Sequence, residues 1–152
     1  MSREAKIINA KEFDTQATIS HYESFGWELL SVNGQQITMS RETQNPVFSE
    51  LVKHQTEYEN LLGKLRGLPY PVEPQRPIPF QLGKCFKMLL CLIVPGIAYI
   101  VYKAVKHKKY KDAYAVYQQE ISDYNKKRAD LIAKMEAVAL ESRAIFFSQK
   151  EA

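Results

Sequence analysis

From Met88 to Tyr102 the chain carries no charged side chain, and lysines bracket the run: Lys84 and Lys87 before it, Lys103 after it. This feature restricts the fold most strongly, because so apolar a stretch must be kept from water by hydrocarbon or by a protein core. As a helix the run covers about 22 Å at 1.5 Å per residue. That is short of the bilayer's hydrocarbon core of about 30 Å. Extending it from Phe86 to Val105 supplies the missing length and takes in Lys87 and Lys103, whose long stems let their amines reach headgroups. This reading assigns Phe86, Met88, Leu89, Leu90, Leu92, Ile93, Val94, Pro95, Gly96, Ile97, Tyr99, Ile100 and Tyr102 to a membrane segment. Phe86, Tyr99 and Tyr102 would lie toward the interfaces that aromatic rings favour. Pro95-Gly96 near the midpoint interrupts the helix. The segment is therefore either one kinked spanning helix or two short halves that enter and leave by the same face. An apolar helix buried in a soluble core is the third reading.

Between Pro74 and Lys111 there is no Asp or Glu, so the net charge of +4 is concentrated around the apolar run. Lys84, Lys87, Lys103, Lys106, Lys108, Lys109 and Lys111 are expected to contact anionic headgroups, each adding about 1 kcal/mol near the surface. A nucleic-acid footprint needs its cations on a folded face. Here they bracket apolar residues, so the expected partner is a lipid bilayer and not nucleic acid. Cys85 and Cys91 stand six residues apart, do not share a helical face, and are not expected to pair.

Residues 1–44 read as a small β-α-β-β domain. Ala5 to Phe13 suggests a first strand around Ile7-Ile8. Asp14 is placed to cap a short helix carrying Ala17, Ile19, Tyr22 and Phe25, and Gly26 supplies the left-handed residue that ends it. Trp27 to Val32 and Gln35 to Arg41 read as two strands joined at Asn33-Gly34, a pair suited to a type I′ hairpin. That loop sets Leu30 opposite Ile37 and Glu28 opposite Met39. Tyr22-Glu23-Ser24-Phe25-Gly26-Trp27-Glu28-Leu29, followed by a hairpin and a basic third strand, resembles a group of short bacterial domains of unknown function. Their mark is a Gly-Trp-Glu-Leu run between a helix and a hairpin, and the likeness covers about residues 5–42. It implies a bacterial source and the same β-α-β-β fold, and it brings no catalytic residues. Trp27 is either a ligand-facing ring or a core residue locking helix to sheet.

Residues 45–68 predict an amphipathic helix opened by Asn45-Pro46. Its seam of Val47, Leu51, His54, Tyr58, Leu61, Leu65 and Leu68 has coiled-coil spacing. Residues 69–83 are a proline-rich linker, expected as an extended polyproline strut. Its PxxP spacings, Pro71 with Pro74 and Pro74 with Pro77, are also those of an SH3-type ligand. Residues 84–109 hold the membrane segment with its basic flanks. Residues 110–152 predict a long helix from about Tyr110 to Phe147, with a seam of Tyr114, Tyr117, Ile121, Tyr124, Leu131, Met135, Val138 and Ile145 interrupted by Arg128 and Ser142. Its far half is expected to outrun any intrachain partner, leaving Leu131, Met135, Val138 and Ile145 as a partner-binding face.

His21, His54 and His107 fall in three different elements without metal-ligand spacing. No phosphate loop, nucleophile elbow or HExxH is present, and Glu57 and Glu59 read as a solvated face. No catalytic residue, cofactor or metal is therefore expected. The fold class expected is α+β: the small domain, then heptad-patterned helices on either side of a hydrophobic membrane segment. The function expected is a non-enzymatic scaffold or accessory subunit of a bacterial cell membrane, its soluble parts cytoplasmic, which self-associates or binds a protein partner. Two alternatives stand beside it. One is a membrane-associated sensor whose β domain binds a ligand or peptide. The other is a soluble helical protein that binds nucleic acid through Lys103 to Lys111.

Overall fold

The computed structural model describes residues 2–78 and 93–148. In chain order the elements are β1 (Arg3–Asn9), α1 (Thr15–Glu23), β2 (Glu28–Asn33), β3 (Gln36–Glu42), α2 (Phe48–Arg66) and α3 (Ile93–Ser148). They divide into two compact units: residues 1–68 with 127–152, and residues 69–126. Helix α3 continues from the second unit into the first.

The first unit is α+β, a three-stranded antiparallel sheet in the order β1-β3-β2. Local chemistry sets its connections. Asp14 accepts from the Ala17 amide at 2.6 Å and caps α1, and Gly26, at φ +79, takes the left-handed position after it. A side chain there would also meet Leu51 Cδ1 at 3.2 Å. The hairpin differs from the expectation. Asn33 pairs with Gln36, so the two loop residues are Gly34 and Gln35, and Gly34 alone has positive φ, +61. A glycine at the first loop position is the type II′ solution. Val32 then faces Ile37 and Leu29 faces Met39, while an irregularity between Leu29 and Ser31 leaves Leu30 out of register. Helix α2 begins two residues later than the Asn45-Pro46 start, because Asn45 spends its side chain and carbonyl on a turn to Val47 and Phe48.

Ile8, Ile37 and Met39 project from one face of the sheet into a core shared with Tyr22, Phe25, Trp27, Tyr58 and Leu65. The α2 seam is the buried one: Leu51, Tyr58 and Leu65 lie inside, and Val47, His54, Leu61 and Leu68 are half-buried. Trp27, 4 % exposed, is a core residue. The far half of α3 completes this core. Met135 is fully enclosed, Val138 and Ala139 are buried, and Leu131 and Ile132 pack against the same cluster. Met135 and Val138, expected to face another molecule, are thus covered within the chain itself; Leu131 and Ile145 are half-buried.

In the second unit the proline-rich strand lies along α3. Pro71, Pro74 and Pro77 are half-buried while the residues between them face water, the three-residue period of a polyproline helix. Tyr70 meets Tyr124 with ring centroids 5.3 Å apart, and Ile78 accepts a hydrogen bond from Lys103 Nζ at 3.1 Å. Strand and helix therefore run antiparallel. Tyr110, Tyr114 and Tyr117 form an aromatic ladder between those points, at centroid spacings of 5.8 and 5.9 Å.

Among the described residues no helix is long and apolar enough to cross a membrane. This corrects the expected fold class in its hydrophobic membrane segment and, with it, the membrane-spanning reading. Among the described residues α3 is uncharged from Ile93 to Tyr102. The same helix then continues through Lys103, Lys106, Lys108, Lys109 and Lys111, so the lysine stretch is helix interior and not a junction before a separate helix at Tyr110. Pro95 and Gly96 fall within α3. Lys84, Cys85, Phe86, Lys87, Met88, Leu89, Leu90, Cys91 and Leu92 lie outside the described residues.

Candidate functional site

Two features of the described residues are placed to meet other molecules. The first is the lysine-rich part of α3. Ile97, Ile100, Val101, Tyr102 and Val105 are exposed, as are Lys106, Lys108, Lys109 and Lys111, whereas Tyr99 and Lys103 are half-buried. Lys106 donates to the Tyr102 hydroxyl at 3.1 Å. That hydrogen bond and the ammonium charge lower the phenol's pKa. Tyr99 lies under Lys103, 5.7 Å from ring centroid to Nζ.

The second is a cavity of about 310 Å³ in the first unit, between the end of β1, the loop to α1, α1 and α2. Strand β1 contributes Lys6 and Ile8, the loop Lys11, Glu12 and Phe13, α1 Tyr22, and α2 Tyr58, Glu59, Leu62, Gly63 and Arg66. A continuous polar network forms its inner wall. Lys6 is ion-paired with Glu59, and the same carboxylate oxygen accepts from Gln55 Nε2 at 2.8 Å and from the Tyr22 hydroxyl at 3.3 Å. Burial alone would raise the Glu59 pKa; hydrogen bonds from Lys6, Gln55 and Tyr22 outweigh it and hold the carboxyl below its usual range. Burial, then the Glu59 charge, drives the Tyr22 phenol upward, and burial does the same to Tyr58. Both hydroxyls therefore remain proton donors across the physiological range.

Beyond Glu59 the network passes through Gln55, whose Oε1 accepts from Trp27 Nε1 and Arg41 Nη1, both at 2.9 Å. Arg41 is 4 % exposed. It donates through Nε to Glu4 at 2.7 Å and through Nη1 to the Phe25 carbonyl at 3.2 Å, and its guanidinium lies over the Trp27 and Phe48 rings. Buried cations persist only with such pairing. A second hollow, of about 480 Å³, lies beside Arg41 between Gly26, Pro46, Leu51 and Phe146.

Sequence reasoning passed over the cavity residues because it followed the apolar seam of α2. The signal lay one step around the same helix: Gln55, Glu59, Gly63 with Leu62, and Arg66 recur every three to four residues and share a face. Glu57 is exposed, but Glu59, taken for its solvated companion, is half-buried and paired. His21 Nδ1 lies 2.7 Å from the Tyr58 hydroxyl, and His54 Nδ1 is buried without a hydrogen-bond partner. Among the described residues no group of three or more His, Cys, Asp or Glu is arranged to hold a metal ion.

Comparison with known protein families, curated proteins and solved structures finds no match to this chain.

Proposed function

We propose that the protein is a non-enzymatic adapter that binds an acidic protein partner through residues 97–111 of α3. The observation that carries this reading is the exposure of Ile97, Ile100, Val101, Tyr102 and Val105 beside lysines, with no carboxylate before Asp112. Contiguous exposed apolar side chains on a folded element mark interaction surfaces. Successive helical residues turn about 100°, so Lys103, Lys106, Lys108, Lys109 and Lys111 are spread around the helix. A helix lying in a lipid surface needs one apolar and one basic side. An acidic cleft that grips the helix from several directions fits the distribution better. The folded α+β unit serves as the anchor for the far half of α3, and the proline strand as a brace along its near half.

Photocrosslinking in cells tests this, with a photoreactive residue at position 105 and the adducts identified by mass spectrometry. One protein adduct, lost when Lys108, Lys109 and Lys111 are changed together to Glu, supports the reading. Adducts to lipid or nucleic acid alone, or a protein adduct indifferent to the charge reversal, overturn it.

A further inference from the structure

Strand β2 is one edge of the sheet, and every residue from Glu28 to Asn33 is exposed. An edge strand turns a row of backbone N–H and C=O groups away from its sheet, ready to pair with another strand. Folded proteins blunt such edges, and β1, the opposite edge, is blunted here. Its Lys6 stands across from Met39, which puts a charge on the core side of the sheet, where Glu59 meets it. No such guard is present on β2. It holds neither lysine nor proline, and its one charge, Glu28, stands at the strand's start and is paired with Arg3 at 2.9 Å.

The side chains of β2 are those of a strand with one covered face. Cross-strand partners share a face. Glu28, Ser31 and Asn33 stand opposite Ser40, Thr38 and Gln36 on the outer side, whereas Leu29 and Val32 stand opposite the core residues Met39 and Ile37. Strict alternation would put residues three apart on opposite faces. The irregularity between Leu29 and Ser31 brings both apolar residues to the core side instead. Yet Met39 and Ile37 are fully buried, while Leu29 and Val32 are 43 % and 46 % exposed. The core of this unit thus stops at β3, and the apolar side of β2 is left largely uncovered.

We propose that β2 pairs antiparallel with β2 of a second copy of this chain about a two-fold axis, joining the two sheets into one. The strand is complementary to itself. With the axis between Leu30 and Ser31, each copy's Leu29 lies opposite Val32 of the other, so apolar residues meet on the core side. Glu28 then lies opposite Asn33, which keeps polar groups together on the outer side and the two carboxylates apart. A slip of one residue would set Leu29 against Asn33 or Glu28 against Val32 and mix the faces. A strand from a different protein would need no such symmetry, whereas a two-fold contact between copies requires it. This edge is separate from residues 97–111 of α3, and the proposal does not depend on the partner assigned there.

The test uses the full chain, first by sedimentation equilibrium over a range of concentrations, then by NMR on a mixture of ¹³C-labelled and unlabelled copies. A monomer–dimer equilibrium is expected, with NOEs between the Leu29 methyls of one copy and the Val32 methyls of the other. Val32→Lys places on this edge the kind of inward charge that guards natural ones. It should weaken the dimer by about thirtyfold, because two cross-strand apolar pairs are lost at once. Unchanged amide shifts in β1, α1 and α2 establish that the variant is folded; if it is not, the NOEs of the unaltered chain decide. Three results overturn the proposal: a chain that stays monomeric up to about 1 mM, a dimer that a folded Val32→Lys variant forms as tightly, or a dimer without NOEs between Leu29 and Val32 of different copies.

Discussion

Arg41 and Gln55 meet at one oxygen: Arg41 Nη1 donates to Gln55 Oε1 at 2.9 Å, and Trp27 Nε1 donates to the same atom at the same distance. A single amide on α2 thus satisfies a buried cation from β3 and the indole that follows α1. Its own nitrogen continues the chain of hydrogen bonds to Glu59. Sheet and helix are joined here by polar groups that have no access to water as a substitute.

Replacing Gln55 with Leu keeps the volume and strands both donors. An unmet buried donor costs about 1–3 kcal/mol, more when charged, so Gln55→Leu should lower stability by about 3 kcal/mol. Urea unfolding followed by the fluorescence of Trp27, the chain's single tryptophan, reads this directly. A loss under about 1 kcal/mol would mean that Arg41 finds another acceptor.

Ser142 gives the opposite sign. It is fully enclosed and its hydroxyl has no hydrogen-bond partner. Alanine removes the unmet group and is the better helix former, so Ser142→Ala should stabilise by about 1 kcal/mol. An increased urea midpoint at an unchanged slope is the expected record.

Features decided by local chemistry were readable in the chain: the Asp14 cap, the left-handed Gly26 and the apolar stripes of α2 and α3. The hairpin was read one residue out, because Asn33-Gly34 and Gly34-Gln35 each offer an acceptable two-residue loop and strand pairing chooses between them. The α3 stripe was located along its length, but periodicity says only that a face is covered, not by what. Its covers are the proline strand and the chain's own core, both remote in sequence. The apolar run was judged by its lack of charge; that α3 continues straight into the lysines emerges only from the folded helix. The cavity went unread because its residues come from four segments, and only the turn after β1 brings Lys11 near Arg66.

His21 makes stability depend on pH. Burial lowers its pKa below 6.5, against the opposing pull of Glu136 and Asp14. A base whose folded-state pKa is depressed contributes stability that is present above its unfolded value and lost as pH falls through the folded one. The urea midpoint should therefore decline as pH falls below about 6.5. A second decline, from the lowered Glu59, should begin below its ordinary value of 4.5. In His21→Gln the first decline should shrink and the second remain. A midpoint equally pH-sensitive in that variant would show that His21 does not cause the first decline.

The proline strand is held to α3 through Tyr70 and Ile78. Its half-buried prolines, Pro71, Pro74 and Pro77, are the residues of the two PxxP spacings. A polyproline segment has no internal hydrogen bonds and little freedom to lose. It can thus cover the tyrosine ladder at a small entropic cost, which serine at the same positions would raise. Changing the three prolines together to Ser should release the strand and speed amide exchange across Tyr110 to Tyr124 by about tenfold, since local opening follows the loss of covering contacts. Amides of β3 should exchange as before, because Gln36 to Glu42 belong to the other unit. If exchange in the ladder is unchanged, the helix there holds without its brace. If β3 also accelerates, the two units unfold together.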